Sequence, residues 1–115
     1  MPDQTSLTGD MARVAADLLD ELALVGAVPH SAHAFRNYVV LTYLEAADRR
    51  AGANALGLRY TSWRYGRAEQ SGFVATDHGN LGEVEVIVSS GPDTEDWRRR
   101  DEDAETAARA AAVTS

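Results

Sequence analysis

The sequence predicts an α+β fold with two N-terminal helices, a three-stranded antiparallel meander and a C-terminal helix. Three observations carry this prediction. Apolar residues recur at steps of three and four near the N-terminus, valines alternate with other residues after position 83, and an acidic helix start follows Pro92. A chain of 115 residues, 44% hydrophobic and 25% charged, suits one domain of this kind.

The first helix is predicted over residues 7–25. Its apolar positions follow helical spacing, which places them on one stripe. They are Leu7, Met11, Val14, Leu18, Leu22 and Val25. Gly26 and Pro29 end the helix. Residues 1–6 are mostly polar, and we expect them to form a flexible N-terminus.

A second helix is predicted over residues 31–50, where Phe35, Tyr38, Val39, Thr42 and Ala46 share a helical face. Residues 38–44 are apolar nearly all round and β-branched in part, so a buried strand is the alternative there. Flanking alanines and acidic residues favour the helix.

Three strands are predicted after this helix, over residues 58–65, 72–76 and 83–88. The last one has the clearest period of two, which turns its valines inward and its glutamates toward water. Short turns between the strands predict the antiparallel meander. The single domain therefore spans residues 7–92.

A C-terminal helix is predicted over residues 93–115. Asp93 is a helix cap, and Glu95 and Asp96 suit the positive end of the helix dipole. Its apolar stripe is thin, and we expect the last ten residues to fray or to be disordered.

The charge of the chain is uneven. The net charge is −7, yet residues 30–75 carry six arginines and three acids, so a basic middle lies between acidic ends. The acidic total argues against a sequence-independent nucleic-acid binder. We expect the basic middle to meet an acidic protein surface, which includes the acidic ends of the chain itself.

Residue usage excludes several chemistries and suggests a source. All 11 basic residues are arginine and there is no cysteine, which excludes lysine Schiff bases, P-loop lysines, disulfides and cysteine-type zinc sites. The arginine and alanine bias is typical of a GC-rich genome, such as that of an actinobacterium or its phage. Without an apolar run of about 20 residues or a signal-peptide pattern, a cytoplasmic protein without membrane contact is expected. We predict no cofactor.

One candidate metal site combines His30 and His33 with Asp77 and His78. Two histidines three apart on a helix share a face, and imidazole and carboxylate groups are zinc ligands. The spacing matches no metalloprotease motif, and histidines at the surface near a turn are the favoured interpretation.

A candidate interaction surface interleaves arginines with aromatic residues in the first predicted strand. Its members are Arg59, Tyr60, Trp63, Arg64, Tyr65 and Arg67. Stacking aromatics beside arginines are also typical of single-stranded nucleic-acid binders, although the aromatics of a strand more often belong to the core.

Taken together, these patterns favour a small non-catalytic protein-interaction or assembly protein, encoded by a phage or mobile element of a GC-rich host. Its partner is expected to be another protein or further copies of itself, and nucleic acid is not expected. Two alternatives stay open. One is a metal-dependent enzyme that uses the histidine group, and the other is a single-stranded nucleic-acid contact through the arginine–aromatic strand.

Overall fold

In a computed structural model, the chain forms three helices and one mixed five-stranded sheet across the part that the structure describes, residues 2–79 and 81–114. Side chains are described from residue 9 to residue 113, without residue 80. The elements in chain order are α1 (Pro2–Leu24), β1 (Ser31–Ala34), β2 (Tyr38–Thr42), α2 (Ala46–Leu56), β3 (Tyr60–Arg64), β4 (Arg67–Ala75), β5 (Glu83–Ser90) and α3 (Thr94–Thr114).

The strand order in the sheet is β1-β2-β5-β4-β3. The central pair, β2 and β5, is parallel, and every other neighbouring pair is antiparallel. The predicted α+β class is therefore confirmed. The predicted three-stranded antiparallel meander is wrong, because β3, β4 and β5 belong to a larger mixed sheet that also contains β1 and β2.

The second predicted helix, over residues 31–50, is also wrong. The chain forms β1 and β2 there, and helix α2 begins only at Ala46. In β2, Val39 and Leu41 are fully buried while Tyr38 and Val40 are half-buried, which is a period of two. Pairing on both edges of β2 and burial of its branched side chains outweigh the helix propensity of the flanking alanines.

Helix α1 buries four of the six residues of its predicted stripe, whereas Val25 follows the end of the helix and is 57% exposed. Met11, Val14, Leu18 and Leu22 are all at most 3% exposed, which confirms the helical spacing. The helix begins at Pro2, earlier than predicted, and proline suits the first turn because its missing N–H has no helical partner there. The side chain of Leu7 lies outside the described side chains, and flexibility of residues 1–6 stays a prediction.

The hydrophobic core lies between one face of the sheet and helices α1 and α2. Helix α1 packs on β1 and β2, and α2 packs on β4 and β5. The valines of β5 point into this core, as predicted. Tyr43 follows β2 and donates a hydrogen bond from its hydroxyl to the carbonyl of Ala27 at 2.7 Å, and burial raises the pKa of Tyr43 to about 12.

Four charged residues join α2 to the start of α3, and we call Arg49, Arg50, Asp93 and Asp96 the charge latch. Arg49 is 2% exposed and forms two hydrogen bonds with the carboxylate of Asp96, at 2.5 and 3.0 Å. Arg50 forms two with Asp93, both at 2.8 Å. Two arginines of the basic middle thus meet the acidic C-terminal end within the same chain.

The latch also caps α3. The backbone N–H of Asp96 donates to the carboxylate of Asp93, and the N–H of Asp93 donates back to Asp96, as in a capping box. Hydrogen bonds from Arg50 hold the pKa of the Asp93 carboxyl well below its usual range. Beyond the latch, α3 is exposed from residue 101 to residue 113. None of the helices in the described part is both long and apolar enough to cross a membrane.

Candidate functional site

The sheet has a second face, opposite the core, that α1 and α2 leave uncovered, and we call it the open sheet face. A concave groove of about 700 Å³ runs over it. Its side chains alternate along each strand with those of the core. They are Ser31, His33, Tyr38, Val40, Thr42, Tyr60, Ser62, Arg64, Arg67, Glu69, Ser71, Phe73, Ala75, Glu83, Glu85, Ile87 and Ser89.

The centre of the open sheet face is apolar. The strand register aligns Val40, Ile87, Ser71 and Tyr60 in one row across four strands. The neighbouring row holds Tyr38, Glu85 and Phe73. Tyr60 is 72% exposed and Phe73 is 67% exposed, so large aromatic surfaces meet water on both rows. This is the kind of exposed patch that marks a contact site.

The charges of the open sheet face are separated along the strands. Arg67 lies at one end, where its Nε donates to Ser89 Oγ at 2.9 Å, so its guanidinium reaches over β5. Arg64 pairs with Arg67 in the register and lies 3.7 Å from Glu69. Glu83 and Glu85 lie toward the other end of β5. The end with Arg64 and Arg67 also holds Glu69 and is net basic, so we call it the basic end, and the end with the two glutamates of β5 is the acidic end.

The hairpin between β3 and β4 turns through Tyr65 and Gly66, both with positive φ, at 54° and 72°. Two residues with positive φ are typical of a type I′ hairpin turn, which favours Asn or Gly at both positions. A tyrosine there is strained, and this one is 95% exposed, so its ring gains little packing within the chain. An exposed, strained aromatic residue beside the basic end suggests a contact outside the chain.

The structure divides the predicted arginine–aromatic surface. Tyr60, Arg64 and Arg67 lie on the open sheet face, and Tyr65 lies at the adjoining turn. Arg59 precedes β3 and instead lines a different surface groove of about 560 Å³, together with Arg50 and Arg99 of α3.

Trp63 faces the opposite way from Tyr60 and Arg64. Its indole stacks on Trp97 of α3, with ring centroids 5.0 Å apart, and the Arg100 guanidinium lies 5.3 Å from each ring. Since Trp97 and Arg100 already use its faces, Trp63 anchors α3 rather than offering a base-stacking platform.

The candidate metal ligands lie on separate elements. His33 is in β1, and His30 precedes that strand; Asp77 and His78 follow β4. His78 Nε2 lies 2.5 Å from an Asp17 carboxylate oxygen of α1. Within residues 2–79 and 81–114, no three His, Cys, Asp or Glu side chains lie close enough to hold a metal ion. The metal set stays a prediction that no cluster in this part of the structure supports.

Of the residues of the predicted arginine–aromatic surface, only Tyr60, Arg64 and Arg67 lie on the open sheet face within a strand, and none of the aliphatic residues of the face is among them. The sequence predicts a helix at Tyr38 and Val40 and strands at Phe73 and Ile87, and it predicts no contact role for these four residues. One signal is present in the sequence: Ile87 alternates with core valines in a strand whose other outward residues, Glu83, Glu85 and Ser89, are polar. Phe35 adds to the aromatic edge, since it stacks on Tyr38 with centroids 4.8 Å apart.

Comparison with known proteins gives no family for the chain: no family model, curated protein or solved structure matches it.

Proposed function

We propose that this chain is a small, non-catalytic protein-interaction domain whose contact surface is the open sheet face. The observation that carries the proposal is the apolar row through Val40 and Ile87, flanked by the exposed rings of Tyr60 and Phe73. An antiparallel or mixed sheet usually keeps an uncovered face polar. A protein partner that covers this row removes the aromatic surface from water, which is favourable by about 25 cal/mol per Å².

The charges of this face favour a protein over a nucleic acid. Arg64 and Arg67 share the face with Glu69, Glu83 and Glu85, so its formal charge is not positive. Phosphate groups require a basic surface, because the phosphate contacts supply most of the non-specific affinity. A protein surface can place acidic groups at the basic end, basic groups at the acidic end and apolar groups over the centre of the face.

Site-specific photo-crosslinking in the cells that express the chain tests this proposal. A benzophenone amino acid in place of Phe73 samples the open sheet face, and the same group in place of Leu24 samples an exposed control position on α1. We expect protein adducts from position 73 that disappear when Ile87→Arg is added, and none from position 24.

Two results would overturn the proposal. The first is the absence of protein adducts from position 73, and the second is an adduct that nuclease treatment removes, which would favour the nucleic-acid alternative. Thermal melting of the Ile87→Arg variant is the control for folding, since Ile87 lies outside the core and the variant is expected to remain folded.

A further inference from the structure

The geometry of the open sheet face points to a specific occupant: we infer that a second copy of this chain covers it. The inference rests on the proposed function and names its partner. The two sheets pack face to face about a two-fold axis that runs across the strands over Ile87. Arg67 of each copy then meets Glu85 of the other.

Self-complementary charge is the first observation behind this inference. Rotation about an axis across the strands reverses the rows and keeps the strand order, so β5 of one copy lies over β5 of the other. Ser89 lies two residues after Ile87, and Glu85 lies two residues before Ile87. The rotation therefore places Ser89 of one copy over Glu85 of the other copy. The hydrogen bond to Ser89 Oγ already places the Arg67 guanidinium at this point. Two identical Arg67–Glu85 pairs result, as an isologous interface requires.

The alternative two-fold axis, parallel to the strands, is less favourable. Under this axis each row of one copy lies over the same row of the other copy, and the strand order is reversed. The central strand β5 therefore again lies over β5 of the other copy. Glu85 of one copy would then face Glu85 of the other, and like charges in contact oppose association. Both axes stack Ile87 on Ile87 and keep the two sets of strands within the angle of aligned sheet packing, about 30°, so the charge register decides between them.

The size of the face suits a weak dimer. Five strands about 4.8 Å apart and an eight-residue central strand rising about 3.4 Å per residue give a face of about 500 Å² per copy. Two copies bury about 1,000 Å², which is the lower limit for a specific interface. We therefore expect a dimer whose population depends on concentration and, because charge pairs contribute, on salt.

Sedimentation velocity of charge-exchange variants measures dimerisation, and it tests both the identity of the partner and the register of the two sheets. Arg67→Glu and Glu85→Arg each place like charges together, and each is expected to weaken the dimer about tenfold or more. The double variant is expected to dimerise like the parent chain. An equimolar mixture of the two single variants is expected to form a heterodimer, because each copy then supplies the charge that the other lacks.

Rescue in the double variant cannot arise within one chain, because positions 67 and 85 are about 20 Å apart along the sheet. Arg59→Glu and Asp101→Arg are the matched controls. They change the net charge by the same amounts at exposed positions outside the open sheet face, and they are expected to leave the dimer unchanged. Circular dichroism of every variant verifies that it is folded.

The outcomes separate this inference from the proposed function. A chain that stays monomeric up to millimolar concentration, or a dimer that the two single charge variants do not weaken, overturns the inference. If position 73 still gives adducts with a different protein, the proposed function stands without it. A monomer that gives no protein adducts overturns both.

Discussion

The charge latch and the open sheet face place polar and apolar groups in opposite ways. In the latch, the guanidinium of Arg49 is buried and reaches Asp96, Ser90 and Gln70. On the open sheet face, the rings of Tyr60 and Phe73 remain in water. The latch therefore completes its interactions within one chain. The open sheet face has apolar surface that no described part of the chain covers.

This difference separates residues that hold the fold from residues that are free to bind. A buried ion pair adds little net stability, but the loss of one partner leaves a buried charge and is strongly destabilising. Substitution of a surface residue on the open sheet face leaves no such charge. Stability measurements should therefore respond to the latch, whereas association measurements should respond to the open sheet face.

The largest effect is expected for Asp96→Asn. It leaves the guanidinium of Arg49 buried without its carboxylate, and we expect a loss of about 3–5 kcal/mol in the free energy of unfolding. Urea unfolding followed by the fluorescence of the stacked Trp63 and Trp97 measures it. Asp101→Asn, at an exposed position of the same helix, is the control and should change stability by under about 0.5 kcal/mol. Equal small losses from both variants would show that the latch is not the anchor of α3.

A matched pair of valines compares the two faces of one strand. Val39 and Val40 are neighbours in β2, but Val39 is fully buried whereas Val40 lies on the open sheet face. We expect Val39→Ala to lower the free energy of unfolding by about 2 kcal/mol, since it leaves a cavity in the core. In dilute protein, Val40→Ala should lower the free energy of unfolding by under about 1 kcal/mol, and it should also weaken association. Similar losses of stability from both substitutions would mean that the two faces are equally packed.

A gain of stability is expected at the hairpin turn. Tyr65→Asn places a residue that tolerates positive φ where the turn requires it, and we expect about 1 kcal/mol of added stability. The same variant removes an exposed ring beside the basic end and should weaken association. Thermal melting and sedimentation velocity measure the two effects. A variant that is more stable and also associates as well as the parent would show that Tyr65 makes no contact.

The smallest effect concerns acid pH. The pKa of Asp93 is lowered in the folded state by hydrogen bonds from Arg50, so its contribution to stability is complete above its unfolded pKa of about 3.9. The contribution disappears as the pH falls through the lower folded value. We expect Arg50→Gln to raise the midpoint pH of acid unfolding, measured by tryptophan fluorescence. An unchanged midpoint would contradict the role of Arg50.

Local patterns predicted those elements whose periodicity coincides with their burial. The stripe of α1 and the alternation of β5 are such cases, because each has one face on the core and one face in water. The helix predicted at residues 38–44 was wrong for a physical reason. Strand β2 is largely apolar on both faces, and its partner β5 lies more than 40 residues away, so no local signal distinguishes it from a buried helix.

The open sheet face could be predicted only in part. The alternation of a strand places Tyr60 and Arg64 on one face, but the position of Phe73 and Ile87 beside them depends on the register of three strands. Likewise, Trp63 resembles a binding residue in the sequence. Its contact with Trp97 depends on where α3 docks, which the sequence does not encode locally.

The most direct measurement uses Ile87, the sole isoleucine of the chain. Its labelled δ1 methyl group gives a single NMR signal from the centre of the open sheet face, and a soluble paramagnetic probe reports how far that methyl group is exposed. We expect the methyl group to become shielded as the protein concentration rises, and to stay exposed in Arg67→Glu. A methyl group that is equally accessible at every concentration in the parent chain would contradict the claim that a second copy covers this face.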